Sequence, residues 1–473
     1  MLAAKTYCNL LLFAISSITV FGSATASTPG SSTAGDGQIR SMLVTRIDVQ
    51  HRGTGAVILI VTPDERRTIA YGTIAAGNTQ PVNGDTVFDI ASITKVFTSL
   101  LLSDMVRRNE LALDDPAAKY LGEHGGSIPV RDGRAITLAD LATHTAGLPL
   151  RPSNLISKDP DNKYDGYTTD LLYAFLSGYP LPRDPGSRYE YSNVGYGLLG
   201  QVLSHRAGLS YEKLVSRRIA GPLGMRSTEL DETPDMKRRG ATGYTIDGLA
   251  IKDAERGALD ASGAIHSTAN DLSRLLEVAL GIRKSPLAPA MRSMLGTRRP
   301  GGMAPWSTQI ALAWNVLKIG NREIVWKNGS AGGFRSFIGY DPARRIGVIG
   351  LINVQSDLGV DDICMHLLGA DIPVDMHVPR KHVQVSIDPA LLQKYVGRYR
   401  FSDDDIATFA SEDNRLFYLL PSGDKLELLA ESNHDFFIKE IDAQISFDGE
   451  VKGSASAAIW HQNGQEQRGE RLP

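Results

Sequence analysis

Two cysteines in 473 residues leave little scope for covalent cross-linking. Cys8 lies in an N-terminal apolar segment and Cys364 in the stretch DDICMHLLGA, so removal of that segment leaves no possible internal disulfide. Stability then rests on core packing, and Cys364 reads as a small buried hydrophobe rather than a nucleophile. An excess of one charge is also lacking. Lys and Arg number 50 against 53 Asp and Glu, the net charge is −3, and no basic run occurs, which excludes nucleic acid as a partner. No His-Glu-x-x-His is present and the 10 histidines are scattered, so neither a metal site nor a cofactor is implied. No Gly-x-Ser-x-Gly is present, which excludes the nucleophile elbow of an α/β-hydrolase.

Near the N-terminus, Lys5 precedes an apolar run over 10–20 and the small-residue site Ala24-Thr25-Ala26. This layout predicts a secretory signal over 1–26, cleaved after Ala26, and a periplasmic or secreted protein. The run is too short for a good membrane span, so no stable span is expected after cleavage. Residues 27–36 have the composition of a flexible tail. A main domain is expected over 37–372 and a linker punctuated by Pro373 and Pro379 over 373–388. A second domain is expected over 389–473.

The main domain opens with a helix through Ile39, Met42, Leu43 and Ile47, then strands GAVILIVT and RRTIAYGTI around the turn at Pro63. Helices are predicted at 169–177, 194–206, 211–219 and 267–280, with a capping box at Thr137 and Asp140. Strands return at 311–319 and 323–327 around the turn Gly320-Asn321, then at 333–340 and 346–354, before a helix near 361–369. Strands at both ends enclosing a helical insert predict an α/β (α+β) domain: one sheet with helices on its faces and a helical subdomain beside it. After Leu392, about eight short alternating strands separated by turns such as Pro421-Ser422-Gly423-Asp424 and Asn463-Gly464 predict a small antiparallel barrel or sandwich.

Three polar constellations carry chemistry. Ser92-Ile93-Thr94-Lys95 stands where a short buried strand turns into an apolar helix. An ammonium is rarely buried without a partner or a task, and an amine one turn from a serine hydroxyl can take its proton. An N-capping role explains the serine equally well. The same spacing at Ser210-Lys213 and Ser422-Lys425 reads as a helix cap and an exposed hairpin turn. Tyr191-Ser192-Asn193 precedes another apolar helix and offers a proton relay and an amide; the alternative is a packing tyrosine and an asparagine cap. Tyrosine-x-asparagine also occurs at Tyr7, inside the signal.

Lys327-Asn328-Gly329-Ser330 would place a cation and free backbone N–H groups beside an open groove, against the alternative of an exposed edge-strand lysine. Lys318-Ile319-Gly320 is discounted, its glycine belonging to the hairpin turn. Gly195-x-Gly197-x-x-Gly200 lies in a helix with no preceding strand and reads as helix packing, not dinucleotide binding. His144 in LATHTAGLPL reads as a structural residue ending a helix.

In this order, and with helices between them, the three motifs resemble those of the penicillin-recognising serine hydrolases: class C β-lactamases, D-Ala-D-Ala carboxypeptidases and the family's esterases. The likeness runs from about Ile39 to Ala370, and LATHTAGLPL and PLGMRSTEL are typical family segments. The resemblance implies Ser92 as acylated nucleophile, Lys95 as its base and Tyr191 as second base and relay. It further implies Asn193 and the Lys327-Asn328-Gly329-Ser330 segment as substrate-binding, with the backbone N–H groups of Ser92 and Ser330 as an oxyanion hole. Two lysines beside one tyrosine favour phenolate. No Glu-x-x-Leu-Asn segment is present, which assigns the deacylating water to Tyr191.

Two departures stand out. The third motif has Asn328 where many relatives carry a hydroxyl, with Arg335 or Arg151 as candidate replacements at a substrate carboxylate. The C-terminal β-domain resembles the lipocalin-like domains appended to some D-peptidases. The expectation is an exported serine hydrolase acting on a small-molecule or peptide acyl substrate, a β-lactam or D-Ala-type cell-wall peptide. An esterase or D-aminopeptidase, and a non-catalytic cell-wall binder, are the alternatives.

Overall fold

In a computed structural model, residues 34–473 are described apart from 158–163, 165, 252–256, 303–305, 378–381, 403–404, 421–424, 439–442, 452 and 463–464. The expected signal, most of the tail, and the turns at Pro421 and Asn463 lie outside the described residues. The chain forms two compact units, Ala34–Val374 and Asp375–Pro473.

The first unit is built on an eight-stranded antiparallel sheet. Its strands are β1 (Gly55–Val61), β2 (Arg66–Gly72), β3 (Arg299–Pro300), β4 (Gln309–Ile310), β5 (Asn315–Ile319), β6 (Arg322–Ala331), β7 (Phe334–Asp341) and β8 (Ile346–Ile352). Their order across the sheet is β2-β1-β8-β7-β6-β5-β4-β3. All seven residues of β1 are buried because its side chains alternate between two cores. Val57, Leu59 and Val61 enter the larger apolar cluster, and Ala56, Ile58 and Ile60 the smaller one. Removing a side chain of this size from water contributes about 2 kcal/mol, so the strand anchors both layers.

Helix α1 (Asp36–Val44) and a helix late in the unit, Asp361–Leu367, close the smaller core through Ile39, Leu43, Ile363 and Cys364. Cys364 is a free, buried thiol, as expected from its apolar setting. Helix α2 (Thr94–Arg107), α3 (Asn193–Ala207) and α4 (Ala269–Ala279) supply Phe97, Leu100, Leu198, Leu272 and Leu276 to the larger core. On α3, a Cβ at Gly197 would stand 2.4 Å from Leu259 Cδ2 and one at Gly200 would stand 2.3 Å from Ala261 Cβ. These glycines let the segment Gly257–Ser262 lie against the helix, which is the packing role their spacing predicted.

Several elements depart from expectation. The helix predicted at 267–280 starts two residues later, because Ser267 lies in the short strand His266–Thr268, paired with Val87–Asp89, and Thr268 caps the helix. The strand predicted at 311–319 is interrupted at residues 311–314, where Ala313 takes φ +66°. Strand β6 runs four residues past its predicted end, so Asn328, Gly329 and Ser330 are strand residues and Gly332-Gly333, both at positive φ, make the turn.

The second unit holds a closed barrel of eight antiparallel strands, each paired with the next, and Gly397–Ser402 pairs with Gln465–Arg471 to shut it. Tyr399, Phe409, Phe436, Phe447 and Trp460 are buried in it. Several of these rings meet edge to face, as Phe409 and Phe447 do at 5.2 Å. Arg471 donates to the carbonyls of Lys394, Val396 and Ala455 and to the Tyr399 hydroxyl.

Candidate active site

Ser92 follows a strained turn. Ala91 has φ +46°, a region that costs a non-glycine residue about 1 kcal/mol or more, and its N–H donates to the Asp89 carboxylate at 2.6 Å. A 3-10 turn, Ala91–Ile93, then leads into α2, and no side chain caps either element. The capping explanation for Ser92 therefore fails. Its Oγ instead lies 3.0 Å from Lys95 Nζ and accepts from the Tyr191 hydroxyl at 2.7 Å.

Lys95 is fully buried. Its Nζ meets three acceptors: Ser92 Oγ, Asn193 Oδ1 at 2.8 Å and the Ser262 carbonyl at 2.6 Å. Three acceptors match the three donors of an ammonium, which is how the fold accommodates the charge. The same geometry suits the amine, with two N–H groups directed at Asn193 and Ser262 and a lone pair open to the serine proton.

Asn193 is free for this contact because it does not cap α3. Ser192 does so, accepting from the Gly195 N–H at 2.8 Å while donating to the Pro149 carbonyl at 2.8 Å. The cap expected at Asn193 is thus one residue earlier.

Strand β6 lies between β5 and β7, so Lys327 is an interior residue, 1% exposed, and not the edge-strand lysine of the alternative reading. Its Nζ stands 4.9 Å from the centre of the Tyr191 ring, and Lys95 Nζ stands 4.8 Å from it. A Cβ at Gly329 would come within 2.7 Å of Ser92 N and 2.5 Å of the Ile90 carbonyl, so only glycine lets β6 run this close to the serine.

Strand alternation sends Asn328 and Ser330 to the opposite face from Lys327 and Gly329. The Asn328 amide donates to Asp361 at 2.7 Å. Arg335, opposite Ser330 in the ladder and 3% exposed, binds the same carboxylate at 2.6 Å. Asp361 thus engages the Arg335 guanidinium that had been a candidate for a substrate carboxylate. Arg151 is half-buried beside Leu150, whose carbonyl accepts the Asn193 N–H at 3.2 Å.

Two contributors were not legible as such. The Ser262 carbonyl is a backbone group with no residue-type signal. His144 is buried, and its ring stacks on Tyr191 at 4.3 Å. Its Nδ1 accepts from the Ser192 N–H at 3.1 Å, which leaves the ring proton on Nε2. Burial, with the charges of Lys95 and Lys327, holds its pKa well below the ordinary imidazole range.

Among the described residues, no group of three or more His, Cys, Asp or Glu is placed to hold a metal ion, and no helix is long and apolar enough to cross a membrane.

Comparison with known proteins follows the same division. A family described as Beta-lactamase matches residues 39–365, and a domain of unknown function (DUF3471) matches residues 381–471. The chain is 29% identical over 343 residues to the D-alanyl-D-alanine-carboxypeptidase/endopeptidase AmpH of Escherichia coli, spanning 67% of this chain and 85% of that protein. It is 26% identical over 342 residues to a beta-lactamase of the same organism, spanning 66% and 86%. Among solved structures, a beta-lactamase/D-alanine carboxypeptidase from Pseudomonas syringae superposes with a TM-score of 0.62 at 21% identity, over 72% of this chain and 99% of that one. A class C beta lactamase from Rhodobacter sphaeroides gives 0.60 at 24% identity, over 69% and 97%. Both likenesses establish the fold of the first unit.

Proposed function

The chain belongs to the beta-lactamase family of serine hydrolases, and from that premise we propose that it works through an acyl-enzyme at Ser92, on β-lactams or D-Ala-type cell-wall peptides. The observation that carries this is the convergence on Ser92 Oγ of Lys95 Nζ at 3.0 Å and the Tyr191 hydroxyl at 2.7 Å.

In the proposed cycle Lys95, in its amine form, takes the serine proton and Oγ adds to the substrate carbonyl. The backbone N–H groups of Ser92 and Ser330 donate to the developing oxyanion; one such donor contributes about 10²–10³ in kcat. Tyr191 delivers a proton to the leaving nitrogen or oxygen as that bond breaks, leaving an ester on Ser92. Water, giving up a proton to Tyr191, then adds to the ester, and Lys95 hands its proton back to Oγ as the acyl–oxygen bond breaks, restoring Ser92 and the amine. Asn193 and Lys327 orient the substrate. Export by the N-terminal signal belongs to the same proposal, since cell-wall peptides lie outside the cytoplasm.

A second reading within the family, ester or D-aminopeptide hydrolysis, is supported by one observation. Asp361 neutralises Arg335, so that guanidinium does not attract a substrate carboxylate. Mass spectrometry after mixing with a β-lactam, a D-Ala-D-Ala peptide and a p-nitrophenyl ester separates the readings by the adduct formed and its lifetime. Acylation at Ser92 with turnover is expected. No adduct from any of the three supports a non-catalytic binder and overturns the proposal.

A further inference from the structure

His144 makes contacts on both sides of Tyr191 and with its ring. Its carbonyl accepts from the Glu190 N–H at 2.7 Å, and its Nδ1 accepts from the Ser192 N–H at 3.1 Å. Its ring lies on the Tyr191 ring, tilted by 30°, and also meets Tyr189 at 5.8 Å and Tyr196 at 4.9 Å. The residue before the tyrosine, the tyrosine itself and the residue after it are therefore tied to one side chain and its own carbonyl. His144 holds both acceptors against this segment with its backbone at φ +57°, a conformation that non-glycine residues adopt rarely.

We propose that His144 is a positioning residue for acyl transfer, clamping residues 190–192 so that the Tyr191 hydroxyl stays on Ser92 Oγ. This rests on Tyr191 being the proton relay of the proposed cycle. The clamp needs a neutral imidazole, since Nδ1 must keep its lone pair for Ser192. The surroundings enforce that state: the facing groups are the Tyr189, Tyr191 and Tyr196 rings, and the nearby charges acting on it are the cations Lys95 and Lys327. Nε2 is buried with no hydrogen-bond partner among the described residues, so no carboxylate stands by to stabilise an imidazolium. Protonation would remove the Ser192 hydrogen bond and add a third cation beside the tyrosine.

Two substitutions separate ring from acceptor. His144→Asn keeps an acceptor on Cγ and tolerates positive φ but removes the ring; His144→Phe keeps a ring but removes the acceptor. The measurement is kcat and KM for p-nitrophenyl acetate from pH 5 to 9, with fluorescent-penicillin labelling and circular dichroism on the full chain. Tyr191→Phe and Ser92→Ala serve as controls.

His144→Phe is expected to lose about 10–100-fold in kcat with KM within about threefold, the scale of a misplaced reacting group. His144→Asn is expected to recover most of that loss. Because the folded imidazole stays neutral, wild type and His144→Asn are expected to share one pH profile. If His144→Phe does not fold, His144→Ala, which lacks both ring and acceptor, carries the test against His144→Asn. Wild-type kcat and pH profile in both His144 variants, with Tyr191→Phe inactive, would overturn the clamp alone. A fully active Tyr191→Phe would overturn the relay and the clamp together.

Discussion

Serine, two residues and lysine occur both at Ser92–Lys95 and at Ser210–Lys213, and the two segments behave as different chemistry. At the second, Ser210 is exposed and its Oγ accepts the Lys213 backbone N–H at 3.3 Å, capping the helix Tyr211–Val215, while the lysine side chain faces solvent. At the first, no cap forms, and the serine hydroxyl is held between a fully buried ammonium and a phenol. The difference does not lie in the four residues. It lies in what is packed around them: β6 across Gly329, the carbonyl of Ser262 and the amide of Asn193. A serine becomes a candidate nucleophile where the fold forces a lysine to find partners inside the core.

The largest expected effect comes from breaking the buried pair. Ser92→Ala should abolish fluorescent-penicillin labelling and lower turnover by at least about 10³-fold, read by in-gel fluorescence and p-nitrophenyl ester hydrolysis; surviving labelling would place the nucleophile elsewhere. Next is the close approach of β6. Gly329→Ala forces a Cβ to within 2.7 Å of Ser92 N, and the movement needed should cost about 100-fold in kcat with the protein still folded by circular dichroism.

Acid is a smaller lever. His144 is held neutral with a depressed pKa in the fold and returns to about 6.5 when unfolded. Below that value the unfolded chain binds a proton that the folded chain refuses. Stability is therefore full above about pH 6.5 and falls by up to about 1.4 kcal/mol per pH unit below it, down to the folded pKa. Urea unfolding from pH 7.5 to 5 should show a steeper loss for wild type than for His144→Asn, and equal slopes would remove His144 from the acid response. The smallest effect belongs to the exposed pair. Ser210→Ala should leave kcat and labelling unchanged and cost about 1 kcal/mol in urea unfolding as the cap is lost. A catalytic defect in that variant would undo the contrast between the two segments.

Much of the fold was legible because periodicity is local. The apolar run of β1, the alternation along the barrel strands and the capping box at Thr137 and Asp140 each carry their own pattern, and each forms where expected. The spacing of Gly195, Gly197 and Gly200 was legible as packing, but not that this packing delivers the Ser262 carbonyl to Lys95. Element boundaries slipped where a tertiary partner intervened, as at Ser267, which pairs with Phe88 instead of beginning a helix. The resemblance implies Asn328 as a substrate-binding residue. Once β6 continues through it, alternation turns its side chain to Asp361.

The amino-acid sequence by itself determined which groups are available: one serine–lysine pair at a strand-to-helix junction, a tyrosine and asparagine before a second helix, and a lysine and glycine on a strand. It also determined the two-part architecture, because hydrophobic period is set by neighbouring residues along the chain. Packing between layers set which serine lies against a buried lysine and a phenol, that Arg335 is engaged by Asp361, and that His144 grips the tyrosine segment. Those outcomes depend on distances of about 3 Å between residues as many as 167 positions apart, such as Lys95 and Ser262. No local pattern encodes such distances, since they follow from how whole layers pack.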